Sequence, residues 1–93
     1  PSIMVDCSHA NSYKDHTRQK EVLESVVDQL ISGNRSICSI MIESNLRAGN
    51  QKIQSDLSNL TYGVSVTDKC VDWETTEAML LSTRDRLAAS YSK

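Results

Sequence analysis

Apolar and polar residues along this chain keep to two different rhythms, and each change of rhythm marks an element. Ile3-Met4-Val5-Asp6-Cys7 is short, mostly apolar and bounded by turn and cap residues, which predicts a buried strand over 3–7. A polar stretch follows from Ser8 to Arg18. Val22, Leu23, Val26, Val27, Leu30 and Ile31 then recur at helical spacing ahead of Gly33 and Asn34. That pattern predicts an amphipathic helix over about 17–32, closed by the glycine. Ile37 to Ile42 is an unbroken apolar run of strand length, as expected of a parallel strand covered on both faces. Strand, helix, strand in this order implies a right-handed crossover.

Beyond Ile42 the rhythm dissolves. Residues 44–71 are rich in Ser and Asn and contain Gly49, Asn50 and Gly63, a long loop of the kind that is functional or disordered. A last helix is expected over about 73–91, with Asp72 as its N-cap, Glu74 in its first turn, and Leu80, Leu81, Leu87, Ala88 and Tyr91 along it. Strand parity puts Met41, Ser39 and Ile37 on the face of Glu43, with Ile42, Ile40 and Cys38 beneath helices. In the first strand it sets Asp6 and Met4 opposite Val5 and Ile3. Two parallel strands leave edges and a face that need neighbours. The order of elements is that of the last two units of an eight-fold barrel, which needs about 250 residues. The expected fold class is therefore α/β: the last two βα units of a TIM (β/α)8 barrel, incomplete in this chain, with residues 1–93 forming the C-terminal part of a single catalytic domain.

Composition narrows the partners. A chain of 93 residues buries only about 60–65% of its unfolded surface, a marginal core. Its net charge of −2 offers no footprint for nucleic acid or for an anionic membrane. No apolar run approaches the roughly 20 residues of a membrane span, and no basic-then-apolar leader opens the chain. A soluble, cytoplasmic protein is expected. Three cysteines without C-x-x-C spacing argue against a disulfide framework and a zinc knuckle, and fit a reducing compartment. The chain opens on Pro1 and reaches an apolar segment within two residues, so it reads as a piece of something longer; a mature protein that has lost its Met is the alternative.

Three segments each set one metal-type ligand at the edge of an apolar or turn-rich stretch: His9 after the first strand, Glu43 after the second, and Asp68 within Tyr62-Gly63-Val64-Ser65-Val66-Thr67-Asp68-Lys69-Cys70. In α/β sheets and barrels ligands bind at the carboxyl edges of strands, so these three are candidates for one site. Each also has a plainer reading: His9 as a loop residue capping backbone groups, Glu43 as a solvated strand end, Asp68 as a turn former before a helix. Cys70 is either a small buried hydrophobe or, beside Asp68, a redox-sensitive thiol. His16 lies in a polar run and is expected in solvent, and Trp73 is expected to staple the last helix.

With these residues in view, the chain resembles the C-terminal part of the type I 3-deoxy-D-arabino-heptulosonate 7-phosphate (DAHP) synthases, also called phospho-2-dehydro-3-deoxyheptonate aldolases. The resemblance rests on Val5-Asp6-Cys7-Ser8-His9-Ala10-Asn11-Ser12, Met41-Ile42-Glu43-Ser44, Gly49-Asn50-Gln51, the run from Tyr62 to Cys70, and Trp73-Glu74 with Thr76, in that order over nearly the whole chain. Cys7 and the loop from Lys52 to Leu60 depart from the pattern. The resemblance implies a metal-dependent transferase of the shikimate pathway for aromatic amino acids, condensing phosphoenolpyruvate with erythrose 4-phosphate and releasing phosphate. It implies that His9, Glu43 and Asp68 are three of four ligands to a divalent metal. The fourth is a cysteine upstream of Pro1, and the phosphate-gripping basic residues lie upstream too. Such a mixed donor set suits Mn, Fe, Co, Zn or Cu. It also implies that Cys70 lies near that upstream cysteine, and that the intact enzyme is a homo-oligomer. A stand-alone metal-binding or interaction module, and an inactive structural fragment, remain the alternatives.

Overall fold

The computed structural model describes residues 2–91; Pro1, where the reading of a longer parent chain began, lies outside them. Strand β1 (Ile3–Asp6) and strand β2 (Ile37–Met41) form a two-stranded parallel sheet, connected by helix α1 (Gln19–Ile31). Helix α2 (Trp73–Tyr91) completes the set. Each strand is one residue shorter than its apolar run, but the ladder reaches further than β1 itself, because the Cys7 amide donates to Met41 O at 2.8 Å. Helix α1 begins two residues later than expected, since His16–Arg18 forms a 3₁₀ turn capped by the Asp15 carboxylate on the Thr17 amide.

Helix α1 stops where the glycine sits, and the hydrogen bonds show why. Gly33 adopts φ +106°, its amide donates to Leu30 O at 3.1 Å, and the Asn34 amide donates to Gln29 O at 3.0 Å. These two bonds are the Schellman pair that satisfies the last carbonyls of a helix. Helix α2 starts as the sequence suggests: the Asp72 carboxylate accepts from the Thr75 amide at 2.8 Å, satisfying one of the free donors of the first turn.

Both helices pack on one side of the sheet. Cys7, Leu23, Val27 and Met79 form the buried centre, with Val22, Ile40, Ile42 and Leu87 packed around it. Ile40 and Ile42 thus lie beneath the helices as parity predicts. Cys38 does not. The register passes from Ile3 opposite Ile37 to Met4 opposite Ser39, so one extra residue is inserted at Cys38 and the alternation slips there. As a result Ile37 is buried on the helix side and Cys38 is exposed. On α2 the inward residues are Thr76, Met79 and Leu87, whereas Leu80, Leu81 and Tyr91 are exposed. Trp73 is 53% exposed, more open than a packed staple. On the sheet's other face Met4 (57%) and Met41 (36%) stand open.

The segment 44–71 is not a free loop. Single bridges join Ser44 to Val71, Gly49 to Cys70 and Asn50 to Ser65, folding it back so that its far end returns to the end of β2. At the turn between these bridges Gly63 adopts φ +81°, and a Cβ there would stand 2.8 Å from Leu46 Cβ, so only glycine fits.

Candidate functional site

The end of β1 runs straight into a tight turn that aims His9. His9 begins a 3₁₀ turn (His9–Ser12) and itself has φ +51°, as Tyr13 and Lys14 have +55° and +59°. Three side-chain-bearing residues in left-handed conformation within six positions are uncommon and held only by their surroundings. Here the Lys14 amide donates to His9 O at 2.6 Å, and Asn11 Nδ2 donates to Asp6 O at 2.7 Å. The His9 carbonyl is thus held by Lys14, and Asn11 ties the turn back to the end of β1.

Glu43 follows β2, half-buried, and its main chain is gripped from two directions. The Gln19 side chain accepts from the Glu43 amide at 2.9 Å and donates to Glu43 O at 3.1 Å. The Val71 amide donates to the same carbonyl at 3.0 Å. Asp68 arrives on the returning end of the 44–71 segment, fixed by the paired bonds between Gly49 and Cys70 (2.8 and 3.0 Å) and by Asn50 Nδ2 on Thr67 O at 2.8 Å.

These three supports bring the three side chains together. His9 Nε2 lies 2.7 Å from Glu43 Oε1 and 3.0 Å from Asp68 Oδ2, and one donor atom from each residue falls within 4.8 Å of the others. Behind the ring, His9 Nδ1 lies 2.7 Å from Asp6 Oδ2, while Asp6 Oδ1 accepts from the Ser8 amide at 2.8 Å. Ser8 Oγ also reaches Glu43 Oε1 at 3.2 Å. The hydrogen bond to Asp6, followed by the charge of Glu43 and the hydrogen bond to Asp68, raises the His9 pKa above its ordinary 6.5. Asp6 is opposed by burial, but hydrogen bonds from Ser8 and His9 bring its carboxyl below the usual range.

A cavity of about 140 Å³ opens on this cluster, bordered also by Lys14, Asn50, Lys69 and His16. His16, expected in solvent, instead turns Nδ1 into a position shielded from water and without a hydrogen-bond partner among the described residues, because the 3₁₀ turn carrying it folds the ring against the cavity wall. Cys70 is buried beside Asp68, its Sγ toward Asp68 O at 3.6 Å, and burial raises its thiol pKa. Those surroundings describe a packed thiol rather than an activated one.

Sequence reading brought out His9, Glu43 and Asp68 but passed over two residues. Asp6 was legible in principle, since an acid three residues before a candidate histidine can reach its far nitrogen. Gln19 carried no local signal, because its partner is 24 residues away.

A profile of the DAHP synthetase I family matches residues 1–81. The chain belongs to the DAHP synthetase I family. Within that family it is 59% identical over 80 residues to the Tyr-sensitive phospho-2-dehydro-3-deoxyheptonate aldolase of Escherichia coli, covering 86% of this chain and 22% of that protein. It is 49% identical over 80 residues to the phenylalanine-inhibited aldolase of Saccharomyces cerevisiae, covering 84% of this chain and 22% of the other. The solved structure of the aldolase from Francisella tularensis superposes with a TM-score of 0.83 at 49% identity, over 91% of this chain and 24% of that one. The chain thus spans under a quarter of the length of these family members. Its small α/β unit is matched in fold as well as in sequence.

Proposed function

We propose that this chain is the C-terminal portion of a DAHP synthase, the last two βα units of a (β/α)8 barrel, and that it supplies His9, Glu43 and Asp68 as ligands to a divalent metal in the condensation of phosphoenolpyruvate with erythrose 4-phosphate. The observation that carries this reading is the convergence of one imidazole nitrogen and two carboxylates within 4.8 Å, at the carboxyl ends of parallel strands. The donor set fits such an ion: one neutral nitrogen and two anionic oxygens balance a dication and suit Mn, Fe, Co, Zn or Cu. A metal held there would supply Lewis-acid polarisation of the aldehyde carbonyl.

The protein's own part is orientation. Asp6 accepts from Nδ1–H, so the proton that Nε2 shares with Glu43 and Asp68 is the one a metal would replace, leaving the tautomer a ligand histidine needs. Ser8 holds the Glu43 carboxylate and the Asp6 carboxylate in one network. Lys14 and Lys69 at the rim give the cavity positive charge suited to phosphorylated substrates. The same reading carries a homo-oligomeric, cytoplasmic enzyme of the shikimate pathway.

The test is ligand removal in the full-length chain that contains this segment. His9→Ala, Glu43→Ala and Asp68→Ala are each expected to lower bound metal and phosphate release together, by roughly 100-fold or more in turnover, since loss of mere outer partners already costs 10–100-fold. A variant with wild-type metal content and rate would remove that residue from the site.

A further inference from the structure

Gln19 is a polar side chain with no exposed surface at all, the largest fully buried side chain among the described residues. It opens α1, yet it caps nothing in that helix. Its amide lies alongside the backbone of Glu43, accepting from the Glu43 amide at 2.9 Å and donating to the Glu43 carbonyl at 3.1 Å, so that it pairs with Glu43 as a neighbouring strand would. Both groups of the side chain are satisfied by one residue, and that residue lies just past the end of β2, where the ladder with β1 has stopped. The Glu43 carbonyl also takes the Val71 amide at 3.0 Å, so the Gln19 side chain and the returning segment that bears Asp68 meet on one oxygen.

We propose that Gln19 is a positioning residue: its buried amide clamps the main chain of Glu43 and thereby sets the Glu43 carboxylate, relative to His9 and Asp68, in the geometry that binds the metal. The proposal rests on the metal reading of the three side chains given above. The bridge of Ser44 to Val71 holds the Glu43 carbonyl from one side, while the Glu43 amide is held by Gln19, and a small rotation there would swing the carboxylate away from a site whose donor atoms all lie within 4.8 Å of each other. Gln19 removes that freedom without touching the ion. Only a side chain carrying both a donor and an acceptor at this length can do so; a buried unpaired amide on either side is costly.

In the full-length chain, Gln19→Met keeps the length and most of the volume while deleting both hydrogen bonds, and Gln19→Glu keeps the acceptor for the Glu43 amide alone. The probe is Co²⁺, read by its dissociation constant and its ligand-field absorption, with Glu43→Gln as reference. Gln19→Met is expected to weaken Co²⁺ about 10-fold or more and to shift the absorption bands. Gln19→Glu, which when ionised sets a second acceptor oxygen against the Glu43 carbonyl in a buried position, should weaken Co²⁺ as well. A Gln19→Met protein with lowered melting temperature but unchanged Co²⁺ affinity and spectrum would make Gln19 a packing residue and overturn the proposal. If Glu43→Gln itself left Co²⁺ binding untouched, the metal reading would fail first and take this proposal with it. Hydrogen exchange in the wild-type protein decides the matter even if neither Gln19 variant folds: the Glu43 amide should be protected like those of β2, and exchange at the rate of an open loop would refute the clamp.

Discussion

His9 faces three carboxylates, Asp6 on Nδ1 and both Glu43 and Asp68 on Nε2, and that arrangement has a pH signature. The imidazole pKa is raised in the folded protein, so without metal the ring holds its proton more tightly folded than unfolded. Its stabilising contribution is complete below the unfolded value of about 6.5 and is lost as pH rises through the raised folded value. A dication competes with that proton for Nε2. Apparent metal affinity is therefore expected to climb with pH across the same window, with a proton released on binding at its acid end. Asp6→Asn removes the leading cause of the shift and should move the midpoint down toward 6.5, the normal histidine value. Metal titrations in buffers of different ionisation enthalpy would measure both; an affinity flat between about pH 5.5 and 8.5 would contradict the assignment of His9. At this scale His9, Glu43 and Asp68 were legible because each interrupts an apolar or turn-rich segment. Gln19 was not, since a polar residue at a helix start looks like surface until its distant backbone partner is known.

The elements were legible to the extent that their determinants are local. Helix α1 ends at Gly33 because the Schellman pair needs a left-handed residue, and helix α2 begins after Asp72 because the carboxylate caps Thr75; both signals sit within four residues of the event. The slip at Cys38 and the inward turn of Met79 depend on what lies opposite, which no local rhythm records. Two glycines separate backbone strain from crowding. At Gly33, φ is +106° and nothing stands within 4 Å of an added Cβ, so Gly33→Ala is expected to cost about 1–2 kcal/mol from backbone strain alone. Gly63→Ala adds a contact of 2.8 Å with Leu46 Cβ to a φ of +81° and should cost more, while also disturbing the fold-back that carries Asp68. Urea unfolding of both variants gives the order directly. Equal costs would mean that Leu46 gives way, and that the fold-back is looser than its bridges suggest.

Seen whole, the chain is stretched. Its radius of gyration is 15.6 Å and its extents are 56 × 25 × 17 Å, where a compact domain of this length would have a radius near 12 Å. Its accessible surface of 6503 Å² exceeds the roughly 5,400 Å² of a compact monomer of its mass. Part of the excess is the open face of the sheet, with Met4 and Met41, and Ile3 at 48% exposure near its edge. In the proposed barrel that face would be the packed interior. The isolated 93-residue chain is accordingly expected to self-associate or remain only partly ordered, and to release no phosphate from phosphoenolpyruvate with erythrose 4-phosphate under any divalent metal. Light scattering on a sizing column and a phosphate assay would show this, and a well-folded, active monomer would defeat it. Cys38 provides a finer measure of the same idea. It is exposed in this unit, whereas Cys7 and Cys70 are buried with their thiol pKa values raised, that of Cys7 to about 11. A strand inside a closed barrel has side chains on one face and helices on the other, leaving neither open to reagent. A thiol reagent at neutral pH should therefore modify Cys38 first and fast in the isolated chain, and slowly in the full-length protein. Equal rates in the two would mean that β2 keeps an open face in the parent as well, and the (β/α)8 placement of this unit would have to be abandoned.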